Sequence, residues 1–271
     1  ALVPFFVVLN QAKTRSEAIG LSMTMGLTFF LCSMHWLTFV TAAGWLVMAF
    51  LETSFLVFFG LAFLEFRNFK SSFVRILAIS SGWCAFEFMR SEIPVFGLGW
   101  NLIAYSQSDY SWIRLAANTV GSYGLGFVIV FTNACFFEIF QRAKQKKNFT
   151  VPAAALLTAF ALLLAHGIYH SRPSVKTPRL VRIALTQGNI PQSVKWETMA
   201  REKIIEIYSK LTELSAYDQP DLIIWPEAAY PGYFNRDYDQ VKILEMIKQI
   251  GIPVLIGSPH WGGNDEAFNS A

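Results

Sequence analysis

From residue 18 to residue 170 the chain alternates between long apolar stretches and short polar breaks. Residues 18–42, 45–66, 120–140 and 151–170 each approach the roughly 20 apolar residues that a helix needs to cross a bilayer. Residues 73–90 form a shorter candidate span with polar residues inside it. Residues 1–9 are too few to cross and read as the tail of a truncated segment, and residues 10–17 form a polar loop. Residues 91–117 are aromatic and polar, with Pro94 and several glycines, and are expected at the interface or as a re-entrant stretch. The pattern then changes. Residues 171–178, with Pro173 and Pro178, read as a linker. Residues 180–185, 222–225 and 253–257 are short apolar runs that predict strands. Between them, residues 198–217 and 238–250 predict helices. In the first, Ile204, Ile205, Tyr208, Leu211 and Leu214 recur at the helical period, and Gly251 closes the second as a C-cap. Strands alternating with helices predict an α/β layer. The expected organisation is a polytopic helical membrane domain over residues 1–170, the linker, and an α/β domain over residues 179–271.

Composition sharpens this division. The chain is 54% hydrophobic and 15% charged, against roughly 25% charged for an ordinary soluble domain. Residues 18–66 carry only Glu52 and Glu65 as charges, whereas residues 195–250 interleave Lys, Glu, Arg and Asp. The net charge of +3 is small and no basic run is long, so nucleic acid is not an expected partner. Basic residues gather at Lys13/Arg15, at Arg67/Lys70/Arg75 and at Arg142/Lys144/Lys146/Lys147. Alternating spans put all of them on one side, which the positive-inside rule makes cytoplasmic. Residues 171 onward then emerge on the outer, periplasmic side. Cys32, Cys84 and Cys135 all fall in apolar segments and read as small buried hydrophobes; no Cys/His spacing signals a metal or redox site, and no cofactor is expected. The chain starts without Met and stops inside an apparent strand, so both ends look cut.

The candidate chemistry centres on Asp221-Leu-Ile-Ile-Trp-Pro-Glu227. Leu222 to Trp225 reads as a buried strand that Pro226 ends, which leaves Glu227 at the strand's carboxyl end, where open α/β folds place ligands. Beside Trp225 and Ala228 a carboxylate would be partly desolvated and suited to general-base work. The same spacing also fits a solvated loop Glu after a core strand. In the membrane part, Glu87 and Arg90 stand three apart on one helix face. Charges within a span are functional suspects; the alternative is an Arg90 that snorkels to the interface with Glu87 as counter-ion. Trp36 and Trp45 read as interfacial anchors and His35 as a packed side chain. Lys242 and Lys248 read as the solvated face of a helix.

Leu222-Ile-Ile-Trp-Pro-Glu227 resembles the first catalytic motif of the nitrilase (carbon–nitrogen hydrolase) superfamily. With Gln187-Gly-Asn-Ile-Pro-Gln-Ser-Val-Lys-Trp196 upstream and several apolar segments before that, the chain resembles the apolipoprotein N-acyltransferase family over nearly its whole length. The resemblance implies the first half of an αββα sandwich and a Glu–Lys–Cys triad. Glu227 matches the Glu, a general base; the Lys and Cys segments fall beyond residue 271, so turnover is not expected of these residues alone. Trp196 matches a substrate-binding aromatic over the active site, Gln187 and Gly188 a strand-end motif of structural use, and Tyr230-Pro-Gly232 the turn after the Glu. Gly99-Trp-Asn101 and Tyr105-Ser-Gln107 resemble the outward segment that meets the catalytic domain. The implied reaction takes an acyl chain from a membrane phospholipid as a Cys thioester and passes it to the diacylglyceryl-modified N-terminal Cys of an apolipoprotein in the bacterial inner membrane. Two other readings stay open: a membrane-anchored amidase of the same superfamily, which would use water as acceptor, and an inert nitrilase-like cap on a membrane scaffold.

Overall fold

The computed structural model describes residues 2–94, 97–170, 180–191, 195, 200–263 and 266–271. The chain divides into two compact units, Ala1–Ser174 and Val175–Ala271.

The first unit is helical. Its elements are α1 (Val3–Gln11), α2 (Arg15–Ser33), a 3-10 turn (His35–Phe39), α3 (Ala42–Phe66), α4 (Ser72–Glu92), a second 3-10 turn (Ile103–Gln107), the single turn α5 (Ser111–Arg114), α6 (Ala117–Lys144) and α7 (Thr150–His170). Four of these, α3, α4, α6 and α7, are long and apolar enough to cross a membrane. The expected span over residues 18–42 is corrected. Its helix begins earlier, where Thr14 accepts a hydrogen bond from the Glu17 N–H, and ends at Ser33. α2 is not among the four because Arg15, Glu17 and a scatter of Ser, Thr and Gly dilute its apolar content. Those small residues serve packing instead. Ser22 and Gly26 face Gly60 and Thr53 of α3 so closely that a Cβ on Gly26 would stand 2.7 Å from the Thr53 methyl. Small residues four apart are how membrane helices bring their backbones together. Gly121 breaks α6 near its start with a left-handed φ of 67°, a conformation that glycine adopts without steric cost.

The core of this unit is aromatic. Phe6, Phe59, Phe63 and Phe137 pack with centroids 5.7 to 6.3 Å apart, with Ile76, Ile79 and Val130 around them. Outward-facing Leu157, Leu162, Phe160 and Ile168 on α7 and Val47, Phe50 and Phe58 on α3 are exposed, as lipid-facing positions would be. The basic residues meet at one end of the bundle. Arg67 donates to the carbonyls of Asn10 (3.1 Å) and Ala12 (2.7 Å), and Arg75 reaches the Glu138 carboxylate on α6. Of the cysteines, Cys135 is buried and Cys84 half-buried, but Cys32 is exposed on α2, so the expectation that all three are buried fails there.

The second unit is an α/β layer. Strands β1 (Ile183–Leu185), β2 (Leu222–Ile224) and β3 (Val254–Leu255) form a parallel sheet in the order β1-β2-β3, with α8 (Arg201–Ala216) and α9 (Asp239–Ile250) as crossovers. β4 (Ser258–Gly263) and β5 (Glu266–Ser270) add an antiparallel hairpin. Gly251 closes α9 in the left-handed region, its N–H bonded to Ile247 at 2.9 Å, as its position predicts. The expected linker over residues 171–178 lies outside the described residues. Ile223 is fully buried between β1 and β3 and packs with Ile204, Tyr208 and Ile243 of the two helices. On the other face of the sheet Ile183, Leu185 and Leu255 are exposed.

Candidate functional site

In the α/β unit the strand and the turn after it position Glu227. Ile223 and Trp225 alternate onto the helix-covered face, and Trp225 is locked there. Its ring stacks on Tyr208 with centroids 5.0 Å apart, and its Nε1 donates to Thr212 Oγ1 at 2.8 Å. Had the strand continued, Glu227 would follow Ile223 and Trp225 into the core. Pro226 ends it, and Ala228 takes a left-handed φ of 47°, so the chain turns out. Glu227 is therefore exposed, and the expectation of a partly desolvated carboxylate is corrected. One of its oxygens, Oε1, accepts from Asn269 Nδ2 on β5, and its backbone carbonyl accepts from Lys195 Nζ at 3.3 Å. The exposed carboxylate is thus held at a fixed place beyond the central strand with one oxygen oriented by an amide.

The backing of this turn includes residues that the sequence does not advertise. A Cβ on Gly257 would stand 2.3 Å from the Pro226 carbonyl oxygen and 2.9 Å from Glu227 Cα, so the segment between β3 and β4 passes directly against the Pro226–Glu227 backbone. The Tyr230 N–H donates to the Gly257 carbonyl at 3.1 Å and ties the two segments. Tyr230 itself is buried, and its hydroxyl accepts from Arg201 at 2.9 Å. Burial pushes that phenol up to about 12, with Asp237 and Asp239 adding to the rise against the pull of Arg201. Arg201 also pairs with Asp237 (2.6 Å) and Asp239 (3.1 Å), which fixes the loop between the turn and α9. Gly188 is structural, as expected: a side chain there would meet the Tyr208 ring at 2.9 Å. Lys242 and Lys248 are exposed on α9. Trp196, the expected substrate-binding aromatic, lies outside the described residues.

In the helical unit Glu87 and Arg90 are both buried, and Arg90 does not snorkel. Its guanidinium turns inward to a third charge, Glu52 of α3, at 2.8 Å. Glu87 sits 3.8 Å from the same guanidinium and accepts from the Ile103 N–H at 2.8 Å. Arg90 also donates to the carbonyls of Leu98 (3.2 Å), Trp100 (3.0 Å) and Asn101 (3.1 Å). It therefore pins the segment after α4, the expected outward stretch, to the bundle. Trp36 is exposed with its ring 4.8 Å from Trp100, and His35 packs edge-on against Trp45 at 5.8 Å. Glu52 was visible in the sequence only as an isolated charge; its partner is 38 residues away.

A bundle of membrane-length helices followed by a parallel α/β layer, with a carboxylate beyond the central strand, defines a multi-pass membrane protein with an α/β extension. Comparison with known proteins narrows the class. Residues 1–135 match the model of the Apolipoprotein N-acyltransferase N-terminal domain. A protein of Chlorobaculum tepidum named Apolipoprotein N-acyltransferase is 27% identical over 270 residues, covering 96% of this chain and 50% of the relative. One of that name from Geobacter metallireducens is 26% identical over 96% of this chain and 52% of the relative, and one from Shewanella oneidensis is 30% identical over 64% and 31%. The chain belongs to the apolipoprotein N-acyltransferase family. It spans about half the length of the first two of these relatives.

Proposed function

We propose that this chain is the membrane-embedded, base-bearing part of an N-acyltransferase. The enzyme moves a fatty acyl chain from a membrane phospholipid to the N-terminal, S-diacylglyceryl-modified cysteine of a lipoprotein. Glu227 is the general base. It takes the proton of a thiol as that thiol attacks the phospholipid ester, and the displaced lysophospholipid leaves with its alkoxide protonated. The acyl chain is then held as a thioester. The α-amino group of the lipoprotein attacks it, gives its proton to the carboxylate, and the thiol is released. Cys32, Cys84 and Cys135 all sit on membrane-unit helices, so none of them is assigned as the nucleophile. Thiol and lysine partners are expected from a further segment of the domain. Both substrates are lipids, which fits a site tethered to a bilayer. The α/β unit is assigned to the periplasmic face of the bacterial inner membrane, because Arg142, Lys144, Lys146 and Lys147 precede α7, the positive-inside rule keeps them cytoplasmic, and α7 crosses once more.

The observation that carries this reading is the placement of Glu227: exposed, beyond the carboxyl end of the central parallel strand, with one oxygen oriented by Asn269. Its test is Glu227→Gln in the full-length protein, assayed by lipoprotein N-acylation in phospholipid vesicles. Loss of a general base lowers the rate by about 10²–10⁴-fold. Wild-type acylation by Glu227→Gln would refute the assignment.

A further inference from the structure

At one end of the helical unit α1, α3 and α6 stop and α4 begins, around a pocket of about 230 Å³. Arg67, Lys70, Arg75, Arg142 and Lys147 line it, and Glu138 is the one acid among the described residues that do. Five cations against one carboxylate leave a net lining charge of +4. The helix termini offset little of this. Each carries about half an elementary charge, negative where a helix stops and positive where one begins, so these termini together supply about −1. The pocket is separate from the Glu52–Glu87–Arg90 cluster: Arg75 and Arg90 are about 22 Å apart along the α4 axis.

The cations differ in what already occupies them. Arg75 gives Nε and Nη2 to the two oxygens of Glu138, so these two charges cancel. Arg67 spends Nη1 on the carbonyls of Leu9, Asn10 and Ala12, which are neutral and leave its charge in place. Arg142 donates through Nη1 to the Asn148 carbonyl at 2.8 Å. Its Nε stands 3.5 Å from the already engaged Glu138 Oε2 and is buried without a hydrogen-bond partner among the described residues. Lys70 and Lys147 are exposed and form no ion pair among the described residues. Like charges gathered in one concavity beside an apolar bundle repel. An anion with several acceptor oxygens relieves that repulsion through charge-assisted hydrogen bonds. The volume is below the range of drug-sized sites, which suits one phosphate group rather than a nucleotide. Because α3, α4 and α6 are of membrane length, a pocket at their ends lies at headgroup depth, where basic pockets between membrane helices take phosphate heads.

We propose that this pocket binds a single phosphate group, with Lys70, Arg142 and Lys147 supplying the donors and Arg67 adding positive charge behind them. The phosphate can belong to the head of an anionic lipid or be free in solution, and both present the same chemistry. The site is in the helical unit and does not depend on the role given to Glu227.

The test is native mass spectrometry of the full chain in detergent with phosphatidic acid and with phosphatidylcholine of matching acyl chains. Beside it, the melting temperature is read in inorganic phosphate and in chloride at equal ionic strength. The expected result is retention of phosphatidic acid over phosphatidylcholine by about tenfold, the scale of one hydrogen bond to a charged group, or a higher melting temperature in phosphate. A lipid preference identifies the head group as the source, and a melting shift alone identifies free phosphate; either supports the proposal. The double variant Lys70→Ala, Lys147→Ala loses the response. The double variant Lys144→Ala, Lys146→Ala, which removes the same charge from neighbouring positions outside the pocket lining, keeps it. All four lysines are exposed, so neither variant puts folding at stake. Absence of both responses in the wild type overturns the proposal. So does a response that Lys70→Ala, Lys147→Ala retains, or one that both double variants lose equally, which marks a diffuse basic surface in place of a site. Acyl transfer is not read, so failure here and failure of the Glu227 assignment are separate results.

Discussion

At the residue scale the candidate site is least tolerant at Gly257. Any side chain there meets the Pro226 carbonyl oxygen and Glu227 Cα, both backbone atoms that have no rotamer to yield. Gly257→Ala is expected to destabilise the α/β unit by about 1–3 kcal/mol, the usual cost of overpacking. Denaturant melts of the two proteins check this, and an unchanged midpoint would show that the turn can give way. The place of Glu227 was legible in the sequence, because an apolar run ended by a proline leaves little choice about where the next residue goes. Its exposure was not. Trp225 and Ala228 are neighbours in sequence and suggested an apolar surrounding, but the strand's alternation buries Trp225 while the left-handed Ala228 carries the chain away from the core. Gly257 was invisible for a related reason. Its constraint comes from a segment some 30 residues earlier in the chain, and nothing in Pro253–Gly257 itself signals that approach.

At the scale of elements, the helices were mostly legible and their partners were not. Expected spans over residues 45–66, 73–90, 120–140 and 151–170 correspond to α3, α4, α6 and α7. Length and apolar content are local properties, so they read directly. The pairing of Arg90 with Glu52 is not local, and the sequence offered only Glu87, three residues away on the same helix. α2 was misjudged because its apolar run seemed to continue to residue 42, whereas the helix stops at Ser33 and the chain turns through His35–Phe39 before Thr41 caps α3. What marks α2 is its small residues. Gly26→Leu would drive a branched side chain into Thr53 of α3 and is expected to lower the melting temperature of the detergent-solubilised chain, while Gly20→Leu, where a Cβ meets nothing within 4 Å, leaves it near wild type. Equal melting of the two variants would show that the α2–α3 crossing does not depend on close approach.

At the scale of the whole molecule, the chain joins an apolar bundle with one basic end to an α/β layer that carries the candidate base. The proposed sidedness rests on the positive-inside rule and is open to direct labelling. In a Cys32→Ser background, Lys242→Cys is expected to react with a membrane-impermeant maleimide in intact spheroplasts, and Lys147→Cys only after lysis. The reverse pattern would invert the topology and remove the lipoprotein substrate from reach. The central claim is that Glu227 serves the formation of an acyl-enzyme. The most direct measurement is the intact mass of the full-length protein after incubation with phospholipid, wild type beside Glu227→Gln. The account predicts an added acyl mass on the wild type that hydroxylamine removes, and no such gain on the variant over the same interval. An equal hydroxylamine-sensitive adduct on both, or none on either, would contradict it.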